Sequence, residues 1–387
     1  MPLRTLKEAN ITRGIRVIVR ADFDVPMRNG RIADDFRIRQ VLPTLRFILK
    51  KGGKVRMLSY IGRPGGKPNP SLSMKRIAGV LARLLKRKVI FVPDILDETA
   101  FRLHDTSPEI IFFENIRFWP GEEKNDVGFA RRVSRWGDLF INEAFANAHR
   151  NHACVTTLAR LLPSYAGLQF AAEVENLSAI VSEPKRPFVA VLGGAKLETK
   201  LPLIARFARD ADAVFIGGAI ANSCFSLQKI EVGRSFIATD GPLFSFKKIL
   251  GSSKIHLPVD AVTSAALNAS SRSRTVPIGE VRKNEYVVDI GPKSVERFLE
   301  FVGHARTIVW NGPLGYVEVA RFARGTKRFA ESLASLRAFK VVGGGDTIAF
   351  LRKYKLLKNF NHISTGGGAM LEFLAGKKLP GVEVLKK

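Results

Sequence analysis

Five glycine-rich stretches carry the densest chemical signal: VLGGAKLETK (Val191–Lys200), FIGGAIANS (Phe215–Ser223), VWNGPLGYVE (Val309–Glu318), VVGGGDTIAF (Val341–Phe350) and ISTGGGAMLEF (Ile363–Phe373). Each follows an apolar run with strand character, and most precede a helical pattern. Glycine lets backbone amides close on an anion, and a helix amino terminus adds a favourable dipole. One such loop is explained by a tight βα turn alone. Five in one half of the chain, with Lys196, Lys200, Glu318 and Asp346 among them, point to phosphate binding. The familiar signatures are absent: no GxxxxGK[ST], no GxGxxG after an early strand, no HExxH, no GxSxG and no Cys/His metal spacing.

The amino-terminal half shows a different chemistry. In VIVRADFDVP (Val17–Pro26) an apolar run leads into Asp22 and Asp24, with Arg20 before them and Asp34, Asp35, Arg37 and Arg39 after. Arginines recur at or just after strand ends: Arg20, Arg37, Arg63 of YIGRP, Arg117 of ENIRF and Arg150 of NAHRNH. Guanidinium groups take phosphate and carboxylate bidentately, which a lysine cannot copy. Several of them at strand ends suggest a pocket for a small polyanion. His149 and His152 could act as general bases or as neutral hydrogen-bond partners. With no nucleophile or paired carboxylate beside them, the second reading is favoured. An acid in one half and a phosphate in the other fit phosphoryl transfer, in which a protein mainly positions reactants and neutralises charge.

The elements that must position these groups alternate short β-rich runs with longer amphipathic stretches. Strands are expected at Val17–Arg20, Lys54–Ser59, Val89–Val92, Ile110–Glu114 and Leu139–Asn142. In the second half they are expected at Phe188–Leu192, Ala213–Ile216, Lys254–Leu257, Thr307–Trp310, Phe339–Val342 and His362–Ser364. FRIRQVLPTLRFILKKGG and SMKRIAGVLARLLKRK have helical spacing of apolar residues. Alternation of this kind predicts an α/β protein with parallel sheets, and sheets covered on both faces explain the continuous apolar strands. Leu168, Ala172, Leu177 and Ile180 suggest one helix connecting two units, and the polar stretch 263–287 is expected to be an exposed excursion.

Composition bounds the rest. The 387 residues, 46% of them hydrophobic, support about two globular domains. No apolar run of eighteen residues and no secretory h-region appears, and Cys154 and Cys224 form neither a metal cluster nor a disulfide framework. A cytoplasmic protein without a membrane partner is expected. The net charge of +27 is spread along the chain and is read as a generally basic surface. It leaves a nucleic-acid partner possible but not expected.

Read in order, RADFDVP, RIRQVLPTL, YIGRP, ENIRF, INEAFANAHRNHA, GGAKLETK, GGAIANS, LPVD, DIGPKS, WNGPLGYVE, GGGDT and HISTGGGAMLEFLAGKKLPGV resemble the phosphoglycerate kinase family over essentially the whole chain. The resemblance implies two Rossmann-like three-layer domains with parallel sheets facing a cleft, joined by a helix hinge. The implied divisions are a phosphoglycerate-binding domain (1–166), the helix (167–182), a nucleotide-binding domain (183–370) and a returning carboxyl-terminal segment (371–387). It implies transfer between ATP and the carboxylate of 3-phosphoglycerate, giving ADP and 1,3-bisphosphoglycerate, with Mg²⁺, by a monomer. Asp22, Phe23, Asp24, Arg37, Tyr60, Ile61, Gly62, Arg63, Arg117 and Arg150 would then form the acid site. Lys196, Lys200, Asn311, Glu318, Gly344, Gly345, Asp346 and Thr347 would form the nucleotide site, with Asp346 holding the metal. Arg37, Lys200 and the amides around Gly345 and Gly368 would stabilise the transferring phosphoryl. Three positions depart from the family pattern: Asp24 for Asn, Tyr60 for His and Glu143 for Asp. An alternative is a weakened paralogue that binds RNA or another polyanion through its basic surface.

Overall fold

The computed structural model describes residues 2–102, 109–237 and 243–387. The chain divides into two compact units, Met1–Glu175 with Lys378–Lys387, and Asn176–Lys377.

The first unit is built on strands β1 (Arg16–Arg20), β2 (Lys54–Leu58), β3 (Ile90–Val92), β4 (Ile110–Phe113), β5 (Leu139–Asn142) and β6 (Ser164–Ala166). They form one sheet in the order β3-β4-β2-β1-β5-β6, every pair parallel. Alternate residues of β1 point to opposite faces. Val17 and Val19 join a core with Ile38, Val41, Leu45 and Ile48 of helix α1 (Phe36–Lys50) and Ile77 and Leu81 of α2 (Lys75–Leu85). Ile18 joins the opposite core, with Phe129, Ala130 and Val133 of α3 (Val127–Ser134) and with Trp136. Burial on both faces is why this strand reads as an unbroken apolar run; each such side chain is worth about 1.5–3 kcal/mol.

Helix α4 (Leu168–Ser182) carries the chain across the division between the units. Its amino terminus is held by Glu143, just past β5, which accepts from Thr44 Oγ1, from the Gln169 N–H at 3.1 Å and from the Phe170 N–H at 3.0 Å. Burial drives the Glu143 carboxyl up to about 7, against these hydrogen bonds, which favour the ionised form. At the other end of the chain, the Gly381 N–H donates to Ala148 O at 2.8 Å and the Arg4 N–H to Leu385 O at 2.9 Å.

The second unit repeats the plan. Strands β7 (Phe188–Leu192), β8 (Ala213–Ile216), β9 (Ile255–His256), β13 (Thr307–Asn311), β14 (Phe339–Gly343) and β15 (His362–Ser364) form a second parallel sheet in the order β9-β8-β7-β13-β14-β15. Helices α5 (Leu197–Asp210), α6 (Gly218–Leu227), α9 (Gly345–Lys353) and α10 (Gly368–Leu374) follow four of the glycine loops.

Two expectations are corrected. The stretch 263–287, though largely exposed, is not a loop excursion throughout: its two ends and residues 273–277 belong to an antiparallel sheet, β11-β10-β12, of β10 (Asp260–Ser264), β11 (Ser273–Pro277) and β12 (Tyr286–Ile290). The edge strand β11 buries only Val276, so its sequence is as polar as a loop. β6 was not expected either; three residues on a sheet edge give no periodic signal.

Glu143 supplies a prediction. A carboxyl raised from its unfolded value to about 7 contributes stability that is fully present below the unfolded value and is lost as pH rises through 7. Glu143→Gln cannot titrate. Urea unfolding between pH 4 and 8 should therefore show the wild type losing stability relative to this variant as pH rises from about 4.5 to 7. A constant difference across that range would exclude the assignment.

Candidate functional site

In the first unit, the loops leaving β1, β2 and β4 meet at the carboxyl edge of the sheet. Asp22 is buried (7% exposed); its Oδ2 accepts from Arg37 Nη1 and its Oδ1 from the Asp24 N–H at 3.0 Å. Burial works against the Arg37 charge, but Asp22, with Tyr60, Asp24 and Glu173, holds it above the ordinary arginine value. Arg37 stands in the first turn of α1. Asp24 Oδ1 accepts from the Gly62 N–H at 3.0 Å. Gly62 O in turn accepts from Arg117 Nη1 at 2.7 Å. One continuous chain of bonds thus runs from Arg37 through Asp22, Asp24 and Gly62 to Arg117. At this bond Asp24 needs only an acceptor, which a carboxylate and an amide oxygen both supply.

Tyr60 sits beneath this chain, almost fully buried. The Arg117 guanidinium carbon is 4.0 Å from the Tyr60 ring centroid and that of Arg20 is 5.2 Å. Burial pushes the phenol well up, so it is neutral. Arg20 is not the pocket arginine that its position suggested. It is fully buried, and its Nη2 is 2.9 Å from Glu122 Oε1. Glu122 Oε2 accepts from the Cys154 N–H at 2.9 Å. His152 lies 3.9 Å from Glu122. Burial, opposed by Glu122 and helped by Arg20, Arg117 and Arg150, lowers His152 to about 4 and keeps it neutral at pH 7. Arg63 and Arg150 are exposed. Phe23 and Ile61 turn their side chains into the core, so what they can offer a ligand is backbone. Asn115, which sequence reasoning passed over, donates to Ile61 O at 2.8 Å and to Leu72 O at 3.0 Å and accepts from the Arg117 N–H. Its signal was present in ENIRF, beside the arginine it orients.

In the second unit the glycine loops gather at the corresponding edge. The loops after β7 and β13 pack backbone against backbone: the Gly194 N–H donates to Pro313 O at 2.8 Å, and a Cβ at Gly193 would strike that same carbonyl. Trp310 Nε1 donates to Gly312 O at 2.8 Å, and the Gly312 N–H donates to Thr347 Oγ1 at 2.9 Å. Gly344 precedes α9 with φ 91°, a conformation L side chains rarely adopt, and the space beside Gly345 is open. Lys200 is buried and donates to Gly193 O. Burial, opposed by Asp346 and helped by Lys196, lowers its ammonium to about 8, so an approaching anion would strengthen its charge. Lys196 and Asp346 are exposed. Asn311 and Thr347 are buried; Asn311 Nδ2 meets Met370 Sδ, and Thr347 braces Gly312, so both fix loop positions. Gly368 opens α10.

Beside these loops lies a cavity of about 320 Å³ whose lining includes Gly194, Gly218, Glu318 and Asp346. Phe236, Leu267, Tyr286 and Tyr316 also line it and give it an apolar wall. Sequence reasoning missed these four: Phe236, Leu267 and Tyr316 lie on loops and Tyr286 opens strand β12, and in either place an apolar or aromatic residue has the same signature whether it faces a ligand or solvent. Glycine-rich loops before helix amino termini, a lysine and an apolar wall suit a nucleotide. Asp346, one exposed carboxylate at the cavity, suits a Mg²⁺ ion that takes most of its ligands from phosphate and water. Among the described residues no group of three or more His, Cys, Asp or Glu forms a self-contained metal site.

Comparison with known proteins gives a consistent picture. The family model described as phosphoglycerate kinase matches residues 6–377. Curated phosphoglycerate kinases of Pelotomaculum thermopropionicum and Zymomonas mobilis are each 40% identical to this chain, over all of it and over 99% and 100% of their own lengths. Solved structures of phosphoglycerate kinases from Coxiella burnetii (TM-score 0.86, 34% identity, 99% of each chain) and Pyrococcus horikoshii (TM-score 0.88, 30% identity, 99% of this chain and 98% of that one) are similar to it.

The buried pair beneath the first site yields a prediction. Glu122→Gln would leave Arg20 buried without a counter-charge and should cost about 3–5 kcal/mol in urea unfolding. Replacing both residues with apolar side chains of similar volume should recover most of that loss. A loss below about 1 kcal/mol in the single variant would show that the pair does not carry this load.

Proposed function

Since the chain belongs to the phosphoglycerate kinase family, we propose that it catalyses reversible transfer of the γ-phosphoryl group of ATP to the carboxylate of 3-phosphoglycerate, giving ADP and 1,3-bisphosphoglycerate. The observation that carries this reading is the pairing of two sites of different chemistry on similar frames. An arginine and carboxylate chain lies at the edge of one parallel sheet, and glycine-rich loops with Lys200 lie at the edge of the other.

In this reading Arg37, Arg63, Arg117 and Arg150 hold the anionic groups of the acid. Asp22 accepts from its hydroxyl, and Phe23, Ile61 and Gly62 contribute backbone. Lys196, Lys200 and the amides of Gly344, Gly345 and Thr347 hold the phosphates of ATP, with Glu318 on the ribose. Asp346 would hold Mg²⁺, which when bound neutralises phosphate charge. No general base is required, because a carboxylate is already ionised at neutral pH. The acid oxygen attacks phosphorus in line, and charge spreads over the equatorial oxygens of the transferring group. Arg37, Lys200 and the amides at Gly345 and Gly368 stabilise that charge. Because one unit holds the acceptor and the other the donor, transfer demands a closing step during turnover, with α4 as the hinge. Closure also excludes the water that would hydrolyse ATP or the acyl phosphate. By kinship we also place the enzyme in the cytoplasm, acting as a monomer. Among the described residues no helix is long and apolar enough to cross a membrane.

The decisive assay couples consumption of 3-phosphoglycerate and Mg-ATP to a detectable product. The wild type should turn over, and Arg37→Ala should lose at least about 100-fold in kcat with Mg-ADP binding nearly unchanged. Equal losses in both would count against the role given to Arg37, and no turnover by the wild type would end the kinase reading. Asp24→Asn keeps the acceptor for the Gly62 N–H and removes one negative charge near an anionic substrate. Its KM for 3-phosphoglycerate should fall about fivefold, equivalent to ~1 kcal/mol, with kcat little changed. A raised KM would show that the carboxylate itself assists binding.

A further inference from the structure

The second unit contains another cavity, of about 330 Å³, that shares no lining residue with the nucleotide pocket. Four arginines line it: Arg274 on β11 and Arg321, Arg324 and Arg328 in and just before helix α8 (Arg324–Ser335). Its apolar lining comes from Val262, Ile290, Val295 and Phe322.

The charges around this cavity do not balance. Arg274 is matched by Glu285 through two bonds of 2.8 Å. Arg328 reaches Glu296 at 3.2 Å, with both side chains more than half exposed, so that pair is weak. Arg321 donates only to a neutral carbonyl, Ala269 O, at 2.7 Å, and Arg324 has no ion pair or hydrogen-bond partner among the described residues. Glu280 adds a negative charge near Arg274, which Glu285 already matches, and two other carboxylates close by are engaged with backbone. Asp260 accepts from the backbone of Lys293 and Ser294 at the start of helix α7 (Pro292–Val302), and Asp289 accepts from the Thr326 N–H and hydroxyl at the start of α8. Four guanidinium groups around one opening repel each other, and two of them have no counter-charge.

We propose that this cavity is a binding site for a small phosphorylated molecule with at least two negative charges. Arg321 and Arg324 grip its phosphate groups, and its apolar part lies over Phe322 and Ile290. The planar fork of arginine suits phosphate, and the volume is that of a small-metabolite site. Nothing in the phosphoryl-transfer reading uses these residues, so the two proposals stand or fall separately.

The test reads each arginine directly. The full chain is labelled with phenylglyoxal, with and without inorganic tripolyphosphate, and modified peptides are quantified by mass spectrometry. Tripolyphosphate should protect Arg321 and Arg324 about tenfold more than the exposed helix residues Arg131 and Arg132. Arg321→Gln should raise about tenfold the concentration needed to protect Arg324, with kcat in the absence of tripolyphosphate unchanged. Uniform protection of all exposed arginines, or the same protection from sodium sulfate at equal ionic strength, would overturn the site. So would protection of Arg324 that is indifferent to Arg321→Gln.

Discussion

A parallel sheet delivers the carboxyl ends of all its strands to one edge, and both candidate sites of the phosphoryl-transfer reading depend on that constraint. The loops after β1, β2 and β4 have nowhere else to go, so Asp22, Gly62 and Arg117 become neighbours although they are far apart in sequence. In the second unit the loops after β7, β13 and β14 converge in the same way, and Gly194, Gly312 and Thr347 bond to one another or to the adjoining loop. The two units answer this crowding differently. One fills its edge with charged side chains that must be paired. The other removes side chains so that backbone can approach backbone and leave amides exposed.

Pairing in the first unit is layered by depth. Fully buried Arg20 is matched by fully buried Glu122. Arg117, mostly buried, is matched by a carbonyl, by the Tyr60 ring and, at 3.6 Å, by Glu123. Exposed Arg63 and Arg150 are left to solvent or a ligand. An ion pair in the interior is costly to break from one side, so Glu122 holds Arg20 in place near the Tyr60 ring, which Arg117 also meets. That gives Tyr60 a physical role that does not need an ionisable group. An aromatic ring in contact with two guanidinium groups offers each of them a cation–π interaction.

Much of this was legible in the sequence, for stateable reasons. Strands buried on both faces are long apolar runs, so β1, β5, β7 and β8 were found to within a residue or two at their ends. Glycine clusters and strand-end arginines fall at the carboxyl edges of the two parallel sheets, where residue type and position had placed the candidate sites. What remained hidden depended on depth or partnership. Arg20 and Arg63 look alike on paper, yet one is sealed with Glu122 and the other is exposed. Asp24 looked like an added repulsion until its bond to the Gly62 N–H showed the acceptor it provides. Strand β11, polar except for Val276, could be recognised only from the partner it pairs with.

The basic composition can be interpreted in the same terms. Arginine serves at least three physical purposes in this fold, and only one is solvation. Arg20 is a buried structural cation, Arg37 and Arg117 are ordered parts of a candidate site, and Arg274 pins β11 to Glu285 beside β12. A net charge of +27 therefore cannot be read as one featureless surface. A paired arginine can still meet a ligand, since Arg37 keeps further N–H donors while Asp22 holds it, but an arginine that no carboxylate of the chain answers has its whole charge to offer. By that criterion Arg63, Arg150, Arg321 and Arg324, for which no carboxylate partner occurs among the described residues, are the cations best placed to meet an anion from outside.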